Sequence, residues 1–145
     1  MIMKELVVYK SIFIKADNLR VWEAITNPDL TKLYMYNSEV ISGWKEGNSI
    51  IWRDADNKKV HVKGIIFKIE PGRYLATKDL SIDSDVEDIE SNYSRVVYKL
   101  INKNGGTNLT VTEDNFNNDV KRYNDSNKFW NAVLMGLKEL LEENI

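Results

Sequence analysis

The chain has 145 residues, a length typical of one domain with a single core. It contains no cysteine and one histidine, which excludes disulfides, thiolate chemistry and metal sites built from several histidines. No apolar run reaches the ~18 residues of a membrane-spanning helix, and residues 1–10 lack the pattern of a secretory signal. We therefore expect one cytoplasmic domain over residues 1–145, without membrane insertion.

Charge is distributed unevenly along the chain, although the net charge is only −2. An acidic segment, residues 79–90, contains no Lys or Arg and carries Asp79, Asp83, Asp85, Glu87, Asp88 and Glu90. The small positive balance of the remaining chain is spread thinly, and no basic cluster indicates a nucleic-acid interface. We expect this segment to form a solvated loop.

The first elements are a strand and two helices. Residues 6–14 are rich in Val, Ile, Phe and Tyr, which favours a strand. Asp17 is a suitable N-cap for a helix whose apolar stripe comprises Leu19, Val21, Trp22 and Ile25. Asn27 and Pro28 end that helix and can begin a second, short one, because proline suits the first helical position.

Strands dominate from there on, over residues 39–42, 49–53, 59–69 and 73–78. Within 59–69 the apolar positions change parity, from Val60 and Val62 to Ile65, Phe67 and Ile69. A period-two pattern changes parity only when a residue is inserted. The sequence therefore predicts a β-bulge at or beside Gly64.

The C-terminal part contains a hairpin and a long helix. Strands over 93–102 and 109–112 flank Asn104-Gly105-Gly106, a tight-turn sequence. The helix, residues 120–143, follows from a stripe with alternating spacings of three and four: Val120, Tyr123, Asn127, Trp130, Leu134, Leu137 and Leu141. A kink or restart at Asp125-Ser126 is the alternative to one continuous helix. The element order indicates an α+β fold.

Five segments in this order resemble the SRPBCC superfamily, the START-like or birch-pollen-allergen-like helix-grip proteins. They are VWEAITNPDLTKLYMY, GWKEGNSIIWRD, GIIFKIEPGRYLATK, NYSRVVYKLINKNGGTNLTVTEDNF and FWNAVLMGLKELLEE. Within that superfamily, the five segments are similar to bacterial homologues of the activator of the ninety-kilodalton heat-shock protein ATPase. The resemblance covers residues 12–142. It implies a curved antiparallel sheet of about six to seven strands wrapped around the long C-terminal helix, two short helices after strand one, and an apolar cavity.

The chain departs from the family pattern at two places. Phe129 stands before Trp130 where relatives often have Gly, and Tyr34 and Tyr36 occupy a region where relatives often have Trp. Both changes alter the cavity or its mouth, so a relative's ligand preference does not transfer to this chain.

Strand parity, the helical stripe and the resemblance together nominate cavity residues. Aromatic side chains with a polar tip suit ligand pockets, because the ring packs and the polar atom orients the ligand. Asn127 is an amide on an apolar stripe, and it either needs a partner inside the cavity or lies at an exposed rim. Ordinary core packing is the alternative for each of the others. The candidates are Tyr36, Ile50, Trp52, Phe67, Tyr98, Asn127, Trp130, Val133 and Leu134.

No catalytic residue, metal site or cofactor is predicted. His61 shares a parity with Lys63, which indicates a solvated face, and no serine or carboxylate partner has recognisable spacing. No paired carboxylates inside the cavity are visible in the pattern. The first functional hypothesis is binding of a small hydrophobic or amphipathic molecule, with the acidic segment as a flexible lid that is poorly ordered without ligand.

Two alternatives remain open. A co-chaperone-like activator of a heat-shock ATPase would take a chaperone as its partner. A cyclase- or hydrolase-like enzyme would use the same cavity, and it would be favoured by a carboxylate of perturbed pKa beside Tyr98 or Asn127. Neither hypothesis involves nucleic acid, and the chain is expected to be a monomer or a homodimer.

Overall fold

A computed structural model describes residues 5–143. Over these residues the chain forms a seven-stranded antiparallel sheet and three α-helices, and the strand order is β1-β7-β6-β5-β4-β3-β2. The elements are β1 (Val8–Ile14), α1 (Asn18–Thr26), α2 (Pro28–Thr31), β2 (Ser38–Ser42), β3 (Ser49–Asp54), β4 (Val60–Glu70), β5 (Tyr74–Ser81), β6 (Ser94–Lys103), β7 (Gly106–Asp114) and α3 (Val120–Glu142). The predicted α+β helix-grip architecture is confirmed.

Local signals set the ends of the short helices. The Asp17 carboxylate accepts the Arg20 backbone N–H at 2.9 Å, as expected of an N-cap. Asn27 ends α1 and caps α2 by accepting the Asp29 N–H at 2.9 Å. Thr31 is fully buried and its hydroxyl donates to the Ser38 carbonyl oxygen at 2.9 Å, which attaches α2 to the start of β2.

The long helix α3 is continuous from Val120 to Glu142, without a break at Asp125-Ser126. At ~1.5 Å per residue it is about 35 Å long. Its C-terminal half packs Val133, Leu134, Leu137 and Leu141 into the core on the concave face of the sheet. Its N-terminal half presents polar side chains to the same face, and this difference leaves space between helix and sheet.

The bulges in β4 lie on either side of Gly64, and the predicted position beside Gly64 is wrong. One register shift falls between Trp52 and Arg53 of β3, opposite His61. The other lies between Ile66 and Lys68, so Phe67 is the inserted residue opposite β5. The alternation of side chains between the two faces of the sheet therefore continues through Gly64. As a result, Ile66 is buried and Phe67 is 40% exposed.

The turn between β6 and β7 agrees with the sequence prediction more closely than the bulges do. Asn104 and Gly105 have positive φ angles of 50° and 79° and form the two-residue connection between β6 and β7.

Within residues 5–143, no helix combines the length and apolar character that a bilayer crossing requires.

Candidate functional site

A cavity of about 490 Å³ lies between the concave face of the sheet and the N-terminal half of α3. Strands β3 to β7 supply one wall, α3 supplies the opposite wall, and the segment after α2 closes one side. This volume falls within the ~300–1,000 Å³ range of small-molecule sites. The cavity lies beside the first turns of α3 because the side chains there are polar. Along the second half of α3, leucine side chains fill the equivalent space.

Aromatic rings from α3, from the segment after α2 and from the sheet line the cavity. Phe129 stacks on Tyr36 with ring centroids 5.7 Å apart and meets Trp130 edge to face at 5.3 Å. Trp130 in turn meets Tyr98 edge to face at 5.7 Å. Trp52 completes the aromatic surface from β3. The departure from the family at Phe129 therefore adds a ring to the cavity wall.

The opposite wall contains a buried carboxyl group that the sequence did not indicate. Asp79 was expected in a loop, but it is the sixth residue of β5, paired with Gly64 of β4. Directly paired residues share a face, so the Asp79 side chain occupies the space that Gly64 leaves vacant. A Cβ on residue 64 would lie 2.4 Å from Asp79 Oδ1. A glycine inside a strand indicates such a close approach. Gly64 was therefore the feature of the sequence that could have indicated the buried carboxyl group.

Asp79 is electrostatically unusual. Its Oδ1 is buried and accepts no hydrogen bond from the described residues. Burial raises the pKa of this carboxyl to about 7, the nearby Glu113 adds to the rise, and a hydrogen bond from Thr77 partly offsets it. The residue as a whole retains some exposed surface because it lines the cavity.

Glu113 of β7 is the second carboxylate in the cavity wall, and it accepts three hydrogen bonds. It accepts hydrogen bonds from Ser94 of β6 at 2.6 Å, from the Trp130 indole N–H at 2.9 Å and from Ser126. These contacts join α3 to the sheet. The expectation that no paired carboxylates lie inside is therefore wrong; a carboxylate on the apolar parity of Leu109 and Val111 was the missed signal.

The Tyr98 hydroxyl lies in the same region. The pKa of Tyr98 is raised well above its ordinary value, first by burial and then by nearby groups that include the Asp79 and Glu113 carboxylates. Within residues 5–143 this hydroxyl has no hydrogen-bond partner, whereas the Tyr34 hydroxyl donates to the Ala24 carbonyl oxygen at 2.6 Å. The cavity thus has two polar groups, Asp79 and Tyr98, that the protein does not fully satisfy.

Charged side chains surround the mouth of the cavity. His61 lines it rather than facing away, because the bulge opposite Arg53 turns this part of β4. Its Nδ1 lies 2.6 Å from Asp83 Oδ2. Arg122 of α3 also lines the cavity and donates to the carbonyl oxygens of Asn92 and Phe116 at 2.9 and 3.3 Å.

The acidic segment, apart from Asp79 and Leu80, runs along one edge of this mouth. Lys63 of β4 forms an ion pair with Asp88, and this pair lowers the pKa of Asp88. The Tyr93 hydroxyl donates to the other oxygen of Asp88 at 2.6 Å. Lys78 lies 3.7 Å from Glu90. These contacts attach to β4 and β5 a segment that the sequence predicted to be a flexible lid.

The nine nominated residues divide between cavity and core. Tyr36, Trp52, Tyr98 and Trp130 line the cavity. Ile50, Val133 and Leu134 belong to the packed core, Phe67 lies in the bulge of β4 with 40% of its surface exposed, and Asn127 is partly buried on α3 outside the lining set. Within residues 5–143, no group of histidine and acidic side chains has an arrangement suited to a metal ion.

A curved antiparallel sheet closed by one long C-terminal helix, with a cavity between them, defines a helix-grip protein of the SRPBCC superfamily. Comparison of sequences identifies the family. Residues 15–142 match the family described as Activator of Hsp90 ATPase homolog 1-like protein, and the chain belongs to it.

Solved structures agree with this assignment. The protein ChR145 from Cytophaga hutchinsonii is 33% identical over 98% of both chains, with a TM-score of 0.80. The Aha1 dimer from Colwellia psychrerythraea (20% identity, TM-score 0.75) covers 94% of this chain and 96% of its own. CalU16 from Micromonospora echinospora (18% identity, TM-score 0.70) covers 94% of this chain and 74% of its own. The latter two show the shared fold alone. A search of curated proteins gave no match.

Proposed function

We propose that this protein binds a small amphipathic molecule in the cavity between the sheet and the N-terminal half of α3. The observation that carries the proposal is a space of about 490 Å³ with an aromatic wall on one side and unsatisfied polar groups on the other. Clefts of this size that combine apolar walls with a few polar groups are the usual form of small-molecule sites. Membership of a helix-grip family supports the same reading.

The two walls indicate what the molecule would look like. Rings at Tyr36, Phe129 and Trp130 favour a flat apolar body, because offset and edge-to-face contacts between rings add about 0.5–1.5 kcal/mol beyond area burial. Asp79 on the opposite wall requires a polar group on that body. A purely aliphatic chain would leave Asp79 unpaired.

Calorimetric titration with bicyclic aromatic probes tests the proposal, and 2-naphthol and 2-methoxynaphthalene are suitable. Val62→Trp places a large ring inside the cavity, whereas Ile65→Trp on the same strand places it at a position that is 43% exposed. We expect Val62→Trp to weaken binding at least tenfold and Ile65→Trp to leave it unchanged. Thermal melting checks that both variants are folded.

The proposal fails if no probe binds the wild-type protein. It also fails if probes bind equally well to Val62→Trp and the wild type, because the binding would then lie outside the cavity. Equal loss of binding in Val62→Trp and Ile65→Trp would also contradict the proposal, because it would show that the substitutions act on the sheet as a whole and not on the cavity.

Stimulation of a heat-shock ATPase is the second candidate, and the observation that favours it is membership of the family named for that activity. Such a function would use the outer surface. We therefore expect the Val62→Trp variant to stimulate the ninety-kilodalton chaperone of the same organism as well as the wild type does. An absence of stimulation by folded wild-type protein would remove this candidate.

A further inference from the structure

The two carboxyl groups in the cavity wall differ in how they are satisfied. Glu113 accepts three hydrogen bonds, from Ser94, Ser126 and Trp130, which occupy most of its acceptor capacity. Asp79 Oδ1 accepts none from residues 5–143. Glu113 therefore joins helix to sheet, whereas Asp79 Oδ1 has no hydrogen-bond partner within the described residues.

Leaving a buried carboxyl oxygen unpaired is costly. A buried polar group without a partner costs about 1–3 kcal/mol, and a charged group costs more. Gly64 shows that the arrangement is built into the fold, since any side chain at residue 64 would meet Asp79 Oδ1 and the Lys78 carbonyl oxygen at 2.4 and 2.3 Å. A glycine in mid-strand also sacrifices local stability. The fold thus accepts two penalties to hold a carboxyl group at this place.

Tyr98 of β6 and Asp79 of β5 lie on adjacent strands, and both line the same cavity. The Tyr98 hydroxyl also lacks a partner within the described chain, and its ring packs against Trp130 of the aromatic wall. A carboxyl acceptor and a phenol in the same wall, each with unused hydrogen-bonding capacity, form a pair complementary to a group that donates one hydrogen bond and accepts another. A hydroxyl is the simplest such group.

We propose that Asp79 and Tyr98 form the polar subsite of the cavity and that they select an aromatic molecule carrying a hydroxyl group. The ligand hydroxyl donates to the Asp79 carboxyl and accepts from the Tyr98 hydroxyl, while its ring system lies against Trp130 and Phe129. Rotation about the Cβ–Cγ bond of Asp79 exchanges its two oxygens, so either one can face the ligand. This inference rests on the proposed function and specifies the class of ligand.

The carboxyl groups of the cavity disfavour the obvious competitor, an aromatic carboxylate. Asp79, Glu113 and Asp125 all line the cavity, and a ligand anion at the Asp79 end would meet two carboxyl groups. Like charges at such distances are unfavourable, particularly away from water. Two basic side chains, Arg122 and His61, also line the cavity. Carbonyl oxygens hold two nitrogens of Arg122, and Asp83 Oδ2 lies 2.6 Å from His61 Nδ1.

Three probes with one ring system separate these possibilities: 2-naphthol with a hydroxyl donor, 2-methoxynaphthalene without a donor, and the anion 2-naphthoate. Calorimetry at pH 7 compares the full chain with Asp79→Leu, and with Asp56→Leu as a matched substitution at an exposed position outside the cavity. We expect the wild type and Asp56→Leu to bind 2-naphthol at least tenfold more tightly than 2-methoxynaphthalene, and 2-naphthoate most weakly. In Asp79→Leu, the preference for 2-naphthol over 2-methoxynaphthalene should fall to about twofold or less. The variant should still bind 2-methoxynaphthalene.

Asp79→Asn is the second variant, should Asp79→Leu fail to fold; it keeps a carbonyl acceptor and is expected to give an intermediate ratio. Equal wild-type affinity for 2-naphthol and 2-methoxynaphthalene overturns the subsite while leaving the binding function intact. So does a tenfold ratio that survives in both Asp79 variants, or 2-naphthoate binding tightest. If no probe binds the wild type, the proposed function falls and the subsite falls with it.

Discussion

The buried carboxyl of Asp79 predicts how stability depends on pH. Folding raises its pKa from an ordinary value of 3.8 to about 7, chiefly because burial disfavours the charged form. Between these values the native state keeps a proton that the unfolded chain has lost. The contribution of Asp79 to stability is therefore fully present below about pH 4, falls as the pH rises, and is lost above about pH 7.

The size of this effect follows from the shift. One pKa unit corresponds to about 1.4 kcal/mol, so the window from pH 4.5 to 8 contains about 3 kcal/mol of lost stability. Asp79→Asn removes the titrating group and retains its shape. Relative to wild type, this variant should gain about 3 kcal/mol between pH 4.5 and pH 8. For a chain of this length that is roughly 10 °C in Tm.

Urea unfolding of both proteins at half-unit pH steps measures the difference curve, from which titrations common to both proteins cancel. Asp125→Asn, at the solvated rim of the cavity, is the matched control. A stability difference between wild type and Asp79→Asn that is flat from pH 4.5 to 8 would refute the claim that burial raises the pKa of Asp79. A rise toward high pH in the stability of wild type over the variant would contradict its sign.

Three further predictions concern the walls and the mouth of the cavity. Gly64→Ala should destabilise the fold by about 2–4 kcal/mol in urea unfolding, because its Cβ would lie 2.3 Å from the Lys78 carbonyl oxygen; a loss below about 0.5 kcal/mol would contradict the close packing. Glu113→Ala should cost about 3 kcal/mol, since it removes the acceptor shared by Ser94, Ser126 and Trp130, and near-neutral stability would show that those contacts are replaceable. Lys63→Met should speed hydrogen exchange in the acidic segment with little change in global stability, because it removes the ion pair with Asp88; unchanged exchange would show that other contacts hold the segment.

Element types followed from the sequence where a local cause acts alone. The Asp17 cap, the Asn104-Gly105 turn and the stripe of α3 each depend on nearby residues, and each structural element formed as expected. The family resemblance supplied the curvature of the sheet and the grip of the helix. Strand ends were less well predicted; β7, for example, extends over Gly106–Asp114 rather than 109–112.

The chemistry of the cavity could not be predicted because it depends on register between strands. Counting alternate residues fails across a bulge, and the two bulges of β4 turned His61 toward the mouth and Phe67 away from the core. Asp79 was grouped with the acidic segment on charge alone, although its pairing with Gly64 places it on the concave face. Long-range pairings of this kind leave only an indirect trace, such as a lone glycine.

In the proposed function, a small molecule occupies the space between the sheet and α3. The chain has four tryptophans, of which Trp52 and Trp130 line the cavity and Trp22 and Trp44 do not. Titration of ¹⁵N-labelled protein with 2-naphthol should shift the indole N–H resonances of Trp52 and Trp130 and leave those of Trp22 and Trp44 in place. Uniform shifts, or shifts confined to Trp22 and Trp44, would contradict the account.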